Sequence, residues 1–207
     1  MRPLPRVHAF TDHAILSAAD FGIRAAAIAA GGAAVALHAR DRGGQDTRLA
    51  AGALRMITIA RPPEAAVFVS GRPDIAAATG AHGVQLGIGD LAPADARRVL
   101  HRGWIGRSVH SLEEARAAVE EGADFLVLGN IYETPSHPGR TGLGAGILRE
   151  AASLGPPVIA IGGVTPERAP QLKAAGAYGV AAIRALWDAD DPAAATLSML
   201  APWVEAA

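Results

Sequence analysis

Residues 158–183 read VIAIGGVTPERAPQLKAAGAYGVAAI. The first four form a mostly β-branched apolar run of strand length that breaks into Gly162-Gly163. A helical pattern opens at Thr165 with Pro166 in its first turn, and Gly176 supplies the left-handed step that ends it. A second apolar run follows at 179–183. Strand, helix and strand in succession make one βαβ unit, with its two strands parallel. The same alternation recurs on both sides. Strand-like runs stand at 7–10, 34–38, 66–70, 83–86, 104–109 and 125–128. Helical patterns cover 17–30, 47–57, 73–79, 93–101, 112–121, 145–153, 165–175 and 192–204, and Ser111-Leu-Glu-Glu114 has capping-box spacing. Eight units in 207 residues predict a single compact (β/α)8 TIM barrel, because the competing doubly wound sheet more often has about five or six. No linker or low-complexity tail interrupts the pattern, so residues 1–207 are read as one domain.

Composition closes off several chemistries. The chain has no cysteine, which removes thiol nucleophiles, disulfides, thiolate metal sites and iron–sulfur clusters. Lys173 is the single lysine and falls in the 165–175 helix, so Schiff-base and P-loop mechanisms have no residue at a reacting centre. A formal charge of −1 argues against nucleic acid as a partner, while eighteen arginines leave room for a local anion pocket. The longest uncharged apolar stretch, between Arg24 and His38, is too short to cross a bilayer, and no apolar core follows the N-terminal charges. No membrane association and a cytoplasmic location are expected.

The ligand of such a barrel sits at the C-terminal ends of its strands. The polar residues there are Thr11-Asp12, His38 to Arg42, Ser70 to Arg72, Gly87 to Asp90, Ser108 to Ser111, Gly129-Asn130, Gly162-Gly163 and Arg184. Gly162-Gly163 precedes a helix after strand seven, where barrels commonly hold a phosphate on bare backbone N–H groups. The plain alternative is a tight strand–helix turn. His38-Ala-Arg40-Asp-Arg42 puts three basic side chains on one side of an extended segment, suited to a phosphate or carboxylate, with Arg40 the stronger candidate. Residues 129–144 are rich in glycine, proline and hydroxyls and read as a binding loop over the barrel mouth. His137 in that loop is an acid–base or phosphate-donor candidate, weighed against a merely solvated histidine. Asp90 could ligate a metal, though one carboxylate is a sparse donor set. His8, His13, His82 and His101 are read as structural.

Four pieces of the chain carry a resemblance. IGRSVHS (105–111), GADFLVLG (122–129), TPSHPG (134–139) and PVIAIGG (157–163), in that order, are similar to the thiamine-phosphate synthase superfamily, which includes the thiazole tautomerases (TenI-like proteins). The resemblance spans nearly the whole chain and implies a (β/α)8 barrel, often a homodimer, with a small phosphate ligand. It implies that Gly162, Gly163 and the backbone at Ile183 and Arg184 hold the phosphate of a thiazole phosphate. Ser108 and Thr134 would line the pocket, with His110 and Ser136 among the substrate-binding residues.

The departures separate the branches. Synthases of the superfamily join an aminopyrimidine pyrophosphate to a thiazole phosphate, with Mg2+ helping pyrophosphate to leave. Their Gln-x-Arg-x-Lys stands here as His38-x-Arg40-x-Arg42, and their Asn-Asp after strand three as Ser70-Gly71. Their Gly-Gln-x-Asp is Gly87-Ile88-Gly89-Asp90, and their Thr-x-Thr-Lys is Thr134-Pro135-Ser136-His137. One of two metal carboxylates and both site lysines are thus replaced. Tautomerases aromatise a thiazole phosphate carboxylate by proton transfer without a metal. They share the His-x-Arg form and the GRSVHS run, but carry a histidine where this chain has Asn130. The resemblance therefore implies first a tautomerase without cofactor, in which His137 or His38 replaces the histidine missing at Asn130. The alternatives are a synthase with Mg2+ at Asp90 and a non-catalytic thiazole-phosphate binder.

Overall fold

A computed structural model describes residues 2–61, 64–134 and 141–204. Eight parallel strands close into a barrel in sequence order: β1 Val7–Phe10, β2 Val35–Ala39, β3 Ala66–Ser70, β4 Gly83–Leu86, β5 Trp104–Val109, β6 Phe125–Leu128, β7 Val158–Ile161 and β8 Gly179–Ala182. Around them run α1 His13–Ser17, α2 Phe21–Ala29, α3 Asp46–Ile59, α4 Pro73–Thr79, α5 Pro93–Val99, α6 Leu112–Glu120, α7 Gly146–Ala152, α8 Ala169–Ala174, α9 Arg184–Trp187 and α10 Pro192–Leu200. The expected TIM barrel is the observed architecture, and every strand falls within one residue of its expected bounds.

The helices depart more. The single helix expected over 17–30 is two, because the Asp12 carboxylate accepts the Ile15 N–H at 2.9 Å and starts α1 early, and Ala18 then turns extended (ψ 141°). The expected 165–175 helix opens with a 3-10 turn at Pro166–Arg168 before α8. One short helix was not anticipated: α9 follows β8 directly, its Leu186 and Trp187 buried under the neighbouring shell.

Strand side chains alternate between the helix layer and the barrel interior. Outward-facing Leu37, Val67, Leu126 and Leu128 pack with Ile28, Met56 and Leu148 of the helices. Inside, Phe10, Phe68, Phe125, Val127 and Ile159 form a second cluster, closed at the N-terminal end by Leu4. Two glycines make that filling possible. A Cβ at Gly83 would come within 2.6 Å of the Phe68 ring, and one at Gly106 within 2.2 Å of the Phe125 ring. These are register neighbours, Phe68 beside Gly83 and Gly106 beside Phe125, so each ring occupies the space its neighbour vacates. Above this apolar layer the interior turns polar, at Ser70, Gln85 and Ser108. Among the described residues no helix is long and apolar enough to cross a membrane.

Candidate active site

At the C-terminal ends of the strands lies a cavity of about 770 Å³, within the usual range for small-molecule sites. Its floor is made by the uppermost inward side chains, Phe10, Gln85, Ser108, Val127 and Ile161. Its wall is made by the segments that follow the strands, including Asp12, Arg40, Arg42, Asp90, His110 and Ile183.

The wall is electrostatically unbalanced. Asp12 pairs with Arg184 at 2.5 Å, Asp41 lies 3.1 Å from His13, and Asp46 is taken by Arg72. Asp90 accepts the Gly87 N–H at 2.6 Å. Among the described residues no carboxylate pairs with Arg40 or Arg42. The Arg40 backbone N–H is fixed by the Thr11 hydroxyl at 2.9 Å, which holds its half-buried side chain at the wall. Burial, followed by the neighbouring Arg42 charge, pushes the Arg40 guanidinium down to about 10, with Asp12 offsetting part of the effect. Two uncompensated cations beside a cavity are a receptor for an anion, and guanidinium groups match phosphate oxygens two at a time.

The floor is also unsatisfied. Gln85 donates its amide N–H to Ser108 Oγ at 3.0 Å, while Gln85 Oε1 and Ser70 Oγ are buried without a partner. Buried polar atoms are seldom left so, and both line the cavity, which fits a ligand edge bearing donors. Gln85 was not singled out from sequence. The available signal was a lone amide inside the apolar run Gly83–Leu86, at an inward-facing position.

Asp90 was expected as a metal ligand only under the synthase alternative. A Cβ placed on Gly71 would lie 3.1 Å from Asp90 Oδ1, so a carboxylate at 71 would stand beside Asp90, where this chain has none. Among the described residues no three metal-ligating side chains cluster. A single carboxylate could hold a divalent ion only where the phosphate oxygens of a ligand completed its coordination. Arg107 braces this segment, donating to the carbonyls of Gly87 at 2.8 Å and Leu91 at 3.1 Å.

His110 lines the cavity, and its Nδ1 lies 3.3 Å from Glu114 Oε2, which also accepts the His110 backbone N–H at 2.7 Å. His38 does not belong to this group, which corrects its placement at the barrel mouth. It shares a face with Arg40, but it sits one layer lower, fully buried and stacked between Phe10 (3.9 Å between ring centres) and Phe68 (4.8 Å). Its Nε2 bonds His8 Nδ1 at 2.8 Å, and burial holds both rings below the usual histidine range. His8 is structural as expected, but as the partner of His38.

The other expected residues divide. Ser108, in the floor, and Ile183, in the wall, both line the cavity. Gly162 and Gly163 both take left-handed backbone (φ 97° and 62°) just beyond Ile161, and Asn130 packs against Gly162, its amide donating to the Tyr132 carbonyl at 3.3 Å. Thr134 is half-buried at the start of the loop. The Arg184 side chain is committed to Asp12 and Asp188. Ser136 and His137 lie outside the described residues. Lys173 donates to the Pro202 carbonyl at 2.5 Å, in α8 and away from the cavity.

Comparison with known proteins adds to this geometry. The family profile described as thiamine monophosphate synthase matches residues 7–186. A thiamine-phosphate synthase of Thermus thermophilus is 44% identical over 168 residues, covering 80% of each chain. One from Marinobacter nauticus is 35% identical over 185 residues, 88% of this chain and 83% of that one. Among solved structures, thiamine phosphate pyrophosphorylase from Pyrococcus furiosus superposes with a TM-score of 0.80 at 30% identity, covering 95% of this chain and 94% of the other.

Proposed function

The chain belongs to the thiamine monophosphate synthase family, and from that premise we propose that it is a thiamine-phosphate synthase. It joins an aminopyrimidine pyrophosphate to a thiazole phosphate and releases pyrophosphate. The observation that carries the reading is the uncompensated pair Arg40 and Arg42 beside a cavity of about 770 Å³, roomy enough for two small substrates. The thiazole nitrogen forms a bond to the methylene carbon of the pyrimidine as the carbon–oxygen bond to pyrophosphate breaks. Negative charge gathers on the departing oxygens, where Arg40 and Arg42 stabilise it. Gln85 Oε1 and Ser70 Oγ are positioned to accept hydrogen bonds from a ring amine and so orient the electrophile. A magnesium ion at Asp90 would add charge neutralisation on the pyrophosphate. This reading replaces the tautomerase put first from sequence, because relatives named as synthases reach 44% identity.

The tautomerase stands as a second reading, favoured by Gly71, which leaves Asp90 without the second carboxylate. One assay separates the two. Purified protein receives both substrates with and without Mg2+, while pyrophosphate release and thiazole aromatisation are followed. Pyrophosphate release supports the synthase. Aromatisation without it supports the tautomerase, and neither activity would leave a thiazole-phosphate binder.

A further inference from the structure

We infer that His110, held by Glu114, is a proton-transfer residue of this cavity. The inference rests on the tautomerase reading and supplies the acid–base group that Asn130 cannot be. Among the described residues, His110 is the one histidine on the cavity wall, since His38 is sealed in the barrel core. Its ring is oriented from one side. Nδ1 faces Glu114 Oε2 at 3.3 Å, so Nδ1 carries the proton and Nε2 presents a lone pair with no partner among the described residues. Glu114 is itself pinned: its backbone N–H donates to Ser111 Oγ at 3.1 Å, and its carboxylate caps the start of α6 through the His110 N–H at 2.7 Å. A base oriented by a carboxylate that the fold fixes is the arrangement general base catalysis requires.

The step balances as an isomerisation. Nε2 takes the proton from the sp³ ring carbon that bears the carboxylate, and the C–H electron pair enters the ring. The double bond that had lain outside the ring moves in, and its outer carbon receives a proton back from the imidazolium. No oxidant or co-reactant is consumed. Arg40 and Arg42 hold the phosphate or carboxylate while this happens. Glu114 is a positioning residue.

The test uses the full chain and a non-aromatic thiazole phosphate carboxylate in D2O, following ultraviolet absorbance and deuterium incorporation. If the wild type turns over, His110→Asn should lower kcat about 100-fold or more with KM within about threefold, and added imidazole should restore part of the rate to His110→Gly. Glu114→Gln keeps an acceptor for the helix cap, so it should fold normally and lose about tenfold in kcat. It serves as the second variant should the His110 substitutions fold poorly. An active wild type whose His110→Asn and Glu114→Gln variants keep full rate overturns this assignment and leaves the tautomerase reading intact. A wild type that does not isomerise the substrate overturns both.

Discussion

At the scale of single residues, function and stability pull against each other. Arg40 is a half-buried cation with Arg42 beside it and, among the described residues, no paired carboxylate, so the ligand-free fold bears its desolvation. Arg40→Gln should therefore raise the ligand-free melting temperature by about 2–4 °C, the shift expected for ~1 kcal/mol in a chain of this size. The same change should weaken pyrophosphate binding about 10- to 100-fold, because charge-assisted hydrogen bonds contribute about 1.5–3 kcal/mol. Calorimetry and a binding titration read the two effects; a variant that loses both stability and affinity would mean that Arg40 has a structural partner. Gly71 gives the converse test. Gly71→Asp would bring a second carboxylate to within reach of Asp90, at a left-handed position (φ 74°) that aspartate tolerates better than most side chains. Without metal it should destabilise by about 1–2 kcal/mol, and Mg2+ should raise its melting temperature more than that of the wild type. Equal responses to Mg2+ would separate Asp90 from metal binding. Sequence made Arg40 and Asp90 legible because both follow strands. It misplaced His38, since alternation fixes the face of a strand and not the height of a residue within the barrel. Gln85 escaped because a polar group inside an apolar strand acquires meaning only once the strand is known to face a cavity floor.

At the scale of elements, all eight strands were legible to within one residue, since each is a short, mostly apolar run between turn residues. The helices were less so. The break between α1 and α2 falls in an alanine-rich stretch with no proline or glycine to mark it, and the signal that decides it is the Asp12 cap. α9 is one turn long, too short to show a period, and is held by buried Trp187. Strand composition carries a further consequence. β4 and β5 each contribute a glycine whose missing side chain is filled by a phenylalanine of an adjacent strand, Phe68 of β3 and Phe125 of β6. Gly106→Ala would put a methyl group 2.2 Å from both the Phe125 ring and Gln85 Oε1. Overpacking of this kind costs about 1–3 kcal/mol. The clash with Gln85 should also disturb the cavity floor, so denaturant unfolding should show the loss while substrate affinity falls. Gly106→Ala with Phe125→Leu should recover stability, and no recovery would mean that the β5 backbone, not the ring, is the constraint.

At the scale of the molecule, the barrel is an aromatic interior with two imidazoles locked in it, directly beneath the cavity. His8 Nε2 faces the Pro5 carbonyl at 3.0 Å and must donate there, so His8 Nδ1 accepts from His38 Nε2 and both rings are neutral. Protonating His8 would set two donors head to head, and protonating His38 would leave its Nδ1–H without an acceptor in an apolar core. Burial accordingly lowers His8 to about 4, with His38 also well below its ordinary value. The sign of the consequence follows from proton uptake. The unfolded chain binds protons on these rings below about 6.5, whereas folded His8 does not until about 4, so stability is full above pH 6.5 and falls as the pH drops toward 4. His8 alone accounts for about 3 kcal/mol of loss across that window, a large share of the ~5–15 kcal/mol that a domain commands. Replacing one ring leaves the other with an unpaired buried nitrogen, so His8→Leu or His38→Leu should each destabilise at neutral pH. The double variant removes both polar groups together and should recover much of that loss while flattening the dependence between pH 4 and 6.5. Urea midpoints of the four proteins across this range decide the matter. A double variant as acid-sensitive as the wild type would move the cause of acid unfolding out of the barrel core and onto the carboxylates at its mouth.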